Sequence, residues 1–311
     1  MNAVSVPIDI PKSLTRAVGY NEEGVAWLKR LPELLTACAR RWDLSVKDPL
    51  SDAYAVMSYN YITPATKRDG SEVIIKIASS NRGFTTERDS LLVYGGKGAV
   101  KLLDSDEELD VLLLERVIPG VPLSEKCDDD ESTRIAASVM RQLWHTAPEE
   151  HGFRTVEDEV TGLRKLRARF DGGTGPLPSK LVEKAEAKFS ELLATSEESV
   201  VLHSDLHHWN ILSAEREPWL AIDSKGLVGD PVYEVATFMH NLPPKSCEGK
   251  DLRQLIARRA AIFAEELSFT RKRILDWSWA HCLLCAWWGV EVDDGNWQGS
   301  IELAELMEKV R

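Results

Sequence analysis

Cysteine is scarce. Cys38, Cys127, Cys247, Cys282 and Cys285 are odd in number and widely scattered, which argues against a disulfide framework. A basic segment followed by an apolar one is also missing from the start, MNAVSVPIDIPKS. With the cysteines, this points to a reducing cytoplasm. Long apolar runs are absent too. The most apolar late stretch, WSWAHCLLCAWWGV from Trp277 to Val290, is 14 residues, short of the ~20 a bilayer-spanning helix needs. It reads as a buried helix, and no membrane partner is expected. Positive charge is in deficit, with 38 Lys and Arg against 50 Asp and Glu for a net charge of -12. Phosphate backbones are held by clustered cations, so no nucleic-acid partner is expected and a cationic small molecule suits the chain better. No internal repeat or low-complexity tract interrupts it.

What is present is an ordinary globular composition, 43% apolar and 28% charged over 311 residues, enough for two lobes with a core each. Leu28, Leu31, Leu35, Cys38 and Trp42 recur at helical spacing, with Pro32 expected to open a second helical piece. AYAVMSYNYITPAT, EVIIKIA and DVLLLERVI read as antiparallel strands. TTERDSLLVYGG between the last two is a helix that its glycines end. Beyond IPGVPL come long amphipathic runs: 132–146, 156–170, 179–195, 251–267, 271–290 and 300–310. The expected division is 1–116 and 117–311, an α+β protein with a mainly helical second part. Its one strand-like interruption is VVLHSDLHHWNILSAEREPWLAIDSKG, while DGGTGPLP is an exposed loop.

The interruption carries the chemistry. His203, Asp205 and Asn210 fit H-x-D-x-x-x-x-N, a pattern that places a carboxylate to orient an acceptor hydroxyl and an amide oxygen to hold magnesium. Asp223 follows the apolar WLAI, a second carboxylate at a strand end where a divalent metal can be chelated. Lys76 lies inside an apolar strand, where an unpaired charge is costly, and Glu87 in the next helix is its natural partner. Other readings stand beside these. His203, His207 and His208 could hold zinc, although no H-E-x-x-H spacing supports a cage. Lys76 could extend from an edge strand, and Glu87 could belong to a solvated face with Arg88 and Asp89. Cys282-x-x-Cys285 lies in an apolar helix without a second pair and reads as packing. Glu291, Asp293 and Asp294 read as a solvated helix end or a receiver for a cationic acceptor.

Lysine in a strand, glutamate in a helix, H-x-D-x4-N and then a strand-end aspartate stand in the kinase order. With LLLERVIPGVPL, LHSDLHHWNIL and PWLAIDSKGLVGDPVYEVATFM, the chain resembles the aminoglycoside phosphotransferase family, in its streptomycin 6-kinase and hydroxyurea kinase branch. The resemblance covers about residues 70 to 240. It implies a two-lobed protein-kinase-like fold with a small antiparallel-sheet N-lobe and a larger, mainly helical C-lobe. It also implies ATP or GTP as donor, Mg2+, a small hydroxylated acceptor such as a streptomycin-like aminocyclitol or hydroxyurea, and a monomer or weak homodimer. By position, Asp205 is then the catalytic carboxylate, Asn210 and Asp223 are the magnesium ligands, and Lys76, held by Glu87, binds phosphate. Glu115, Arg116 and Val117 form the hinge whose backbone meets the adenine. His203 supports the loop, and Asp230 buttresses it from the following helix. Three places depart from the pattern: SDAYAVMSYN lacks the glycines of a phosphate-covering loop, Ser204 replaces a glycine, and DSKG replaces DFG. A catalytically silent nucleotide-binding module and a zinc hydrolase are the alternatives of other classes.

Overall fold

The computed structural model describes residues 8–48, 59–126, 128–243, 247, 249, 251–292, 295 and 297–310. The chain divides into two compact units, residues 1–96 with 100–117, and 97–99 with 118–311.

In the first unit, α1 (Lys12–Val18) and α2 (Glu22–Arg41) precede β1 (Ser45–Val46), β2 (Tyr61–Thr66), β3 (Glu72–Ile77), α3 (Asn81–Tyr94), β4 (Leu102–Asp106) and β5 (Val111–Glu115). The strands form an antiparallel sheet of order β1-β2-β3-β5-β4. Alternation along β3 sends Val73, Ile75 and Ile77 into a core shared with Leu14 and Val18 of α1 and Leu31, Leu34, Leu35 and Cys38 of α2. Lys76 therefore belongs to the opposite face of the sheet. α3 starts on the Ser80 side chain, which accepts from Gly83 N–H at 3.3 Å, and ends at Gly95 with φ 57°. Its buried stripe is Phe84, Glu87, Leu91 and Tyr94, which turns Glu87 inward while Arg88 pairs outward with Asp89 and Glu107.

Pro32 does not open a second helix: Glu22–Arg41 is one helix with Pro32 inside it. Proline forfeits one intrahelical bond, and the stripe Leu31, Leu34, Leu35, Cys38 against the sheet is buried on both sides of it, enough to carry the helix through. Of the strand expected at 53–66, residues 53–58 lie outside the described residues, and so do positions 51–58 of the stretch in which a glycine loop was sought. β4, LLDSD, escapes a reading by apolar run because it is a polar edge strand.

The second unit contains β6 (Pro119–Pro122), α4 (Leu123–Lys126), α5 (Asp129–Leu143), β7 (His145–Thr146), β8 (Arg154–Thr155), α6 (Val156–Val160), α7 (Gly162–Arg169) and α8 (Ser179–Ala194). β9 (Val200–Leu202), β10 (Ile211–Ala214), β11 (Trp219–Ala221) and β12 (Leu227–Gly229) follow. The chain then continues through α9 (Pro231–His240), α10 (Leu252–Leu267), α11 (Arg271–Val292) and α12 (Trp297–Glu308). α11 is buried around most of its circumference, with Trp277, Trp279 and Trp287 fully inside, so it is the hub of the helical packing. Among the described residues no helix is long and apolar enough to cross a membrane. Cys282 packs on Met307 at 3.7 Å, in keeping with its reading as core. Asp293 and Asp294 lie outside the described residues.

Two expectations need correcting. The run 132–146 stops being helical at Leu143, because His145 and Thr146 are drawn into a ladder with Val201 and Val200. Strands are not confined to 200–226, since β6, β7 and β8 add edges to two small sheets, β11-β10-β6 and β7-β9-β12-β8. All three are two to four residues long, too short to show a periodicity.

Candidate active site

Two connections between those small sheets build the site. The segment 203–210 leaves β9 and enters β10, and the segment 222–226 leaves β11 and enters β12. β10 pairs with β11, Ile211 opposite Ala221, while β9 pairs with β12, Leu202 opposite Leu227. Both connections thus join the same pair of sheets side by side. Ile222 N–H donates to Asn210 O at 2.9 Å and Lys225 N–H to His203 O at 2.9 Å.

The first connection is held from beneath. Ser204 has φ 61°, a left-handed geometry that suits glycine, so the substitution noted in the sequence falls on a backbone that would take either residue at different cost. Glu234 of α9, fully buried, fixes that turn: Oε2 accepts His203 N–H at 2.6 Å and Oε1 accepts Ser204 N–H at 2.9 Å. Burial pushes the Glu234 carboxyl up to about 8, against the pull of these two amides. His203 donates from Nε2 to Ile222 O at 2.8 Å and accepts Asp205 N–H on Nδ1 at 3.3 Å, with burial holding it neutral at about 3. Asp230 is where the sequence suggested, at the start of α9, and it takes the N-cap place that an aspartate before Pro231 suits. Oδ1 caps the helix through Val232 N–H at 2.9 Å, and the carboxylate pairs with Arg273. The buttress is Glu234, one turn further on, because that turn of α9 faces the loop backbone.

Asp205 emerges from this support with a third of its side chain exposed, His207 Nε2 3.6 Å from one oxygen and Lys225 Nζ 3.7 Å from the other. Desolvation raises its carboxyl, and His207 and Lys225 counter that. Asn210 commits Nδ2 to Asp205 O at 2.9 Å, which leaves Oδ1 as the atom that could face a metal. Asp223, at φ 62°, places Oδ2 2.6 Å from Lys225 Nζ. Asp205, Asn210 and Asp223 are therefore brought together, with a side-chain cation already lodged against both carboxylates. Magnesium takes hard oxygens from one or two carboxylates plus phosphate, and the Asn210 amide with the Asp223 carboxylate fits that donor set. Zinc fits poorly. Both His203 nitrogens are bound to backbone, and His208 stacks on Phe238 at 4.0 Å and receives Arg259 at 3.2 Å. Among the described residues no group of three or more His, Cys, Asp or Glu gathers as a metal cage.

The remaining candidates lie in the first unit. Lys76 and Glu87, 3% and 4% exposed, form a buried pair with Nζ 2.7 Å from Oε1 and 2.5 Å from Oε2. Lys76 is thus a paired interior cation, not an edge residue reaching for water. Glu115 accepts Lys101 N–H at 2.8 Å and Arg116 reaches Glu72 at 3.3 Å. These side chains are occupied locally, and Val117 ends the unit. Glu234 and Lys225, which touch the loop backbone and the two carboxylates, were not among the residues expected from the sequence.

The profile of the aminoglycoside/hydroxyurea antibiotic resistance kinase family matches residues 50–293. A streptomycin 6-kinase of Streptomyces griseus is 31% identical over 290 residues, covering 93% of this chain and 92% of that protein. A hydroxyurea phosphotransferase of Kitasatospora aureofaciens is 30% identical over 250 residues, covering 78% and 71%. Among solved structures, a thermostable mutant of the aminoglycoside phosphotransferase APH(4)-Ia, in ternary complex with ADP and hygromycin B, superposes with a TM-score of 0.61. It is 15% identical and covers 88% of this chain and 96% of its own. The chain has the two-lobed kinase-like fold.

Proposed function

This chain belongs to the aminoglycoside/hydroxyurea antibiotic resistance kinase family and is a phosphotransferase, and from that premise we propose its reaction: transfer of the γ-phosphoryl group of ATP, or of GTP, to a hydroxyl of a streptomycin-like aminocyclitol. The observation that carries the reading is the convergence of Asp205, Asn210 and Asp223 on two adjoining connections, locked by His203 and Glu234. The net charge of -12 favours a cationic acceptor.

Asp205 orients the acceptor hydroxyl and takes its proton late. Mg2+, when bound, neutralises charge that develops on the phosphates, and Asn210 and Asp223 would hold it. Lys76, steadied by Glu87, binds the donor phosphates, and Glu115 to Val117 present backbone groups to the base. Little covalent work falls to the protein in such a transfer, so positioning and electrostatics supply the acceleration.

The test is a panel of aminocyclitols and hydroxyurea, incubated with the purified protein, nucleotide and Mg2+, with the phosphate position mapped on any product. Phosphorylation of a streptomycin-like hydroxyl supports the reading. Transfer to hydroxyurea alone would move the assignment to the other branch of the family. Nucleotide binding that survives Asp205→Asn, with no turnover in the parent, would favour the silent module.

A further inference from the structure

We propose that Lys225 is a catalytic cation of this site: its ammonium neutralises the phosphoryl group in flight and keeps the Asp205 and Asp223 carboxylates at their working separation. The proposal rests on the phosphotransferase reading above and adds a residue to it.

Geometry is the first argument. Lys225 Nζ lies 2.6 Å from Asp223 Oδ2 and 3.7 Å from Asp205 Oδ2, so one ammonium bridges the carboxylate that faces the acceptor hydroxyl and the one assigned to the metal. The backbone is arranged to put it there. Asp223 at φ 62° and Gly226 at φ 63° bend the turn, and Lys225 N–H is pinned to His203 O at 2.9 Å, the residue that also orients Asp205. A surface lysine pairing by chance needs none of this. About half of its side chain is exposed, which leaves the ammonium reachable by a substrate.

Charge is the second argument. A loose phosphoryl transition state spreads negative charge over three equatorial oxygens, and it must pass close to two carboxylates. The loop that carries Asp205, residues 203–210, contains no lysine or arginine, so it brings no permanent positive charge of its own. Lys225 supplies it from the neighbouring connection. In the step itself the acceptor oxygen–phosphorus bond forms and the bond from the γ-phosphorus to the bridging oxygen breaks. Its electron pair leaves with the nucleoside diphosphate, and the hydroxyl proton goes to Asp205. Lys225 gives and takes no proton.

The experiment compares the parent with Lys225→Met, which keeps the stem and removes the charge, with Lys225→Arg, and with Lys225→Ala supplied with ethylammonium. Steady-state kinetics use the best acceptor of the panel. In parallel, calorimetry measures binding of ADP alone and of the transition-state mimic formed by ADP, Mg2+ and aluminium fluoride. We expect Lys225→Met to lose 10²–10³ in kcat, with KM for both substrates within threefold, ADP affinity unchanged and the aluminium fluoride complex weakened by at least 10². Lys225→Arg should recover part of the rate, and ethylammonium should raise the rate of Lys225→Ala in a saturable way. A Lys225→Met protein within threefold of the parent in kcat and in mimic affinity overturns the proposal. So does a loss of ADP affinity that matches the loss of rate, because that would make Lys225 a nucleotide-binding or structural residue. A parent that phosphorylates nothing sinks the underlying reading instead, while the mimic arm still reports on Lys225.

Discussion

Glu234 and the Lys76–Glu87 pair are single residues whose removal has calculable consequences. Glu234→Ala leaves one buried amide, His203 N–H, and one half-buried amide, Ser204 N–H, without their acceptor. At ~1–3 kcal/mol for each unsatisfied group, we expect a loss of about 2–6 kcal/mol in urea unfolding and a fall in kcat of at least tenfold with smaller changes in KM. The same carboxyl carries a pH signature. Its folded value is raised to about 8 from 4.5, so the native state keeps a proton that the unfolded chain has already released. The stability it contributes is full below 4.5 and is lost as pH rises towards 8. Glu234→Gln should flatten that part of the stability profile. For the buried ion pair, Glu87→Ala should cost about 3–5 kcal/mol, because it strands the Lys76 charge, and the double replacement Lys76→Met with Glu87→Leu should recover most of that. That Asp205, Asn210 and Asp223 sit on neighbouring connections was legible in the sequence, because short apolar strands flank H-x-D-x4-N and precede Asp223. Glu234 and Lys225 were not, because their importance comes from which backbone amide or carboxylate they reach.

Among the elements, those with a long periodic face were legible and those made by pairing were not. α8 and α10 fall within a residue of expectation, since each presents a continuous apolar stripe. β1, β4, β7 and β8 were invisible, because strands of two to five residues acquire their identity from the neighbour they pair with. Yet short strands aim the site, as the paired ladders of β9 with β12 and β10 with β11 show. Helix α10 makes its contribution through Arg259, which is fully buried, bonded to Asp129 of α5 at 2.5 Å, to Phe238 O of α9 at 3.3 Å and to His208 of the loop at 3.2 Å. Arg259→Met should therefore destabilise the second unit by about 3–5 kcal/mol through the stranded Asp129 carboxylate. Arg259→Met combined with Asp129→Leu should lose less, which a double-mutant cycle in urea would measure.

Taken as a whole, the chain hides neutral imidazoles in its helical unit. Burial holds His203 at about 3, His240 at about 4 and His281 at about 3. Below 6.5 the unfolded chain takes up protons that these three refuse, so stability falls as pH drops from 6.5 towards 4, by up to about 1.4 kcal/mol per pH unit for each group. Urea midpoints between pH 7 and 4 should show this decline, and a flat profile would contradict the burial. The central claim is that the Asp205 cluster transfers a γ-phosphoryl group to a small-molecule hydroxyl. The most direct measurement follows the 31P spectrum of ATP, Mg2+ and streptomycin with the parent and with Asp205→Asn. We predict that the parent converts the γ-phosphate signal into that of a phosphomonoester on the acceptor, and that Asp205→Asn does so at least 10³-fold more slowly while still binding ATP. Turnover by Asp205→Asn at the parent's rate would contradict the account.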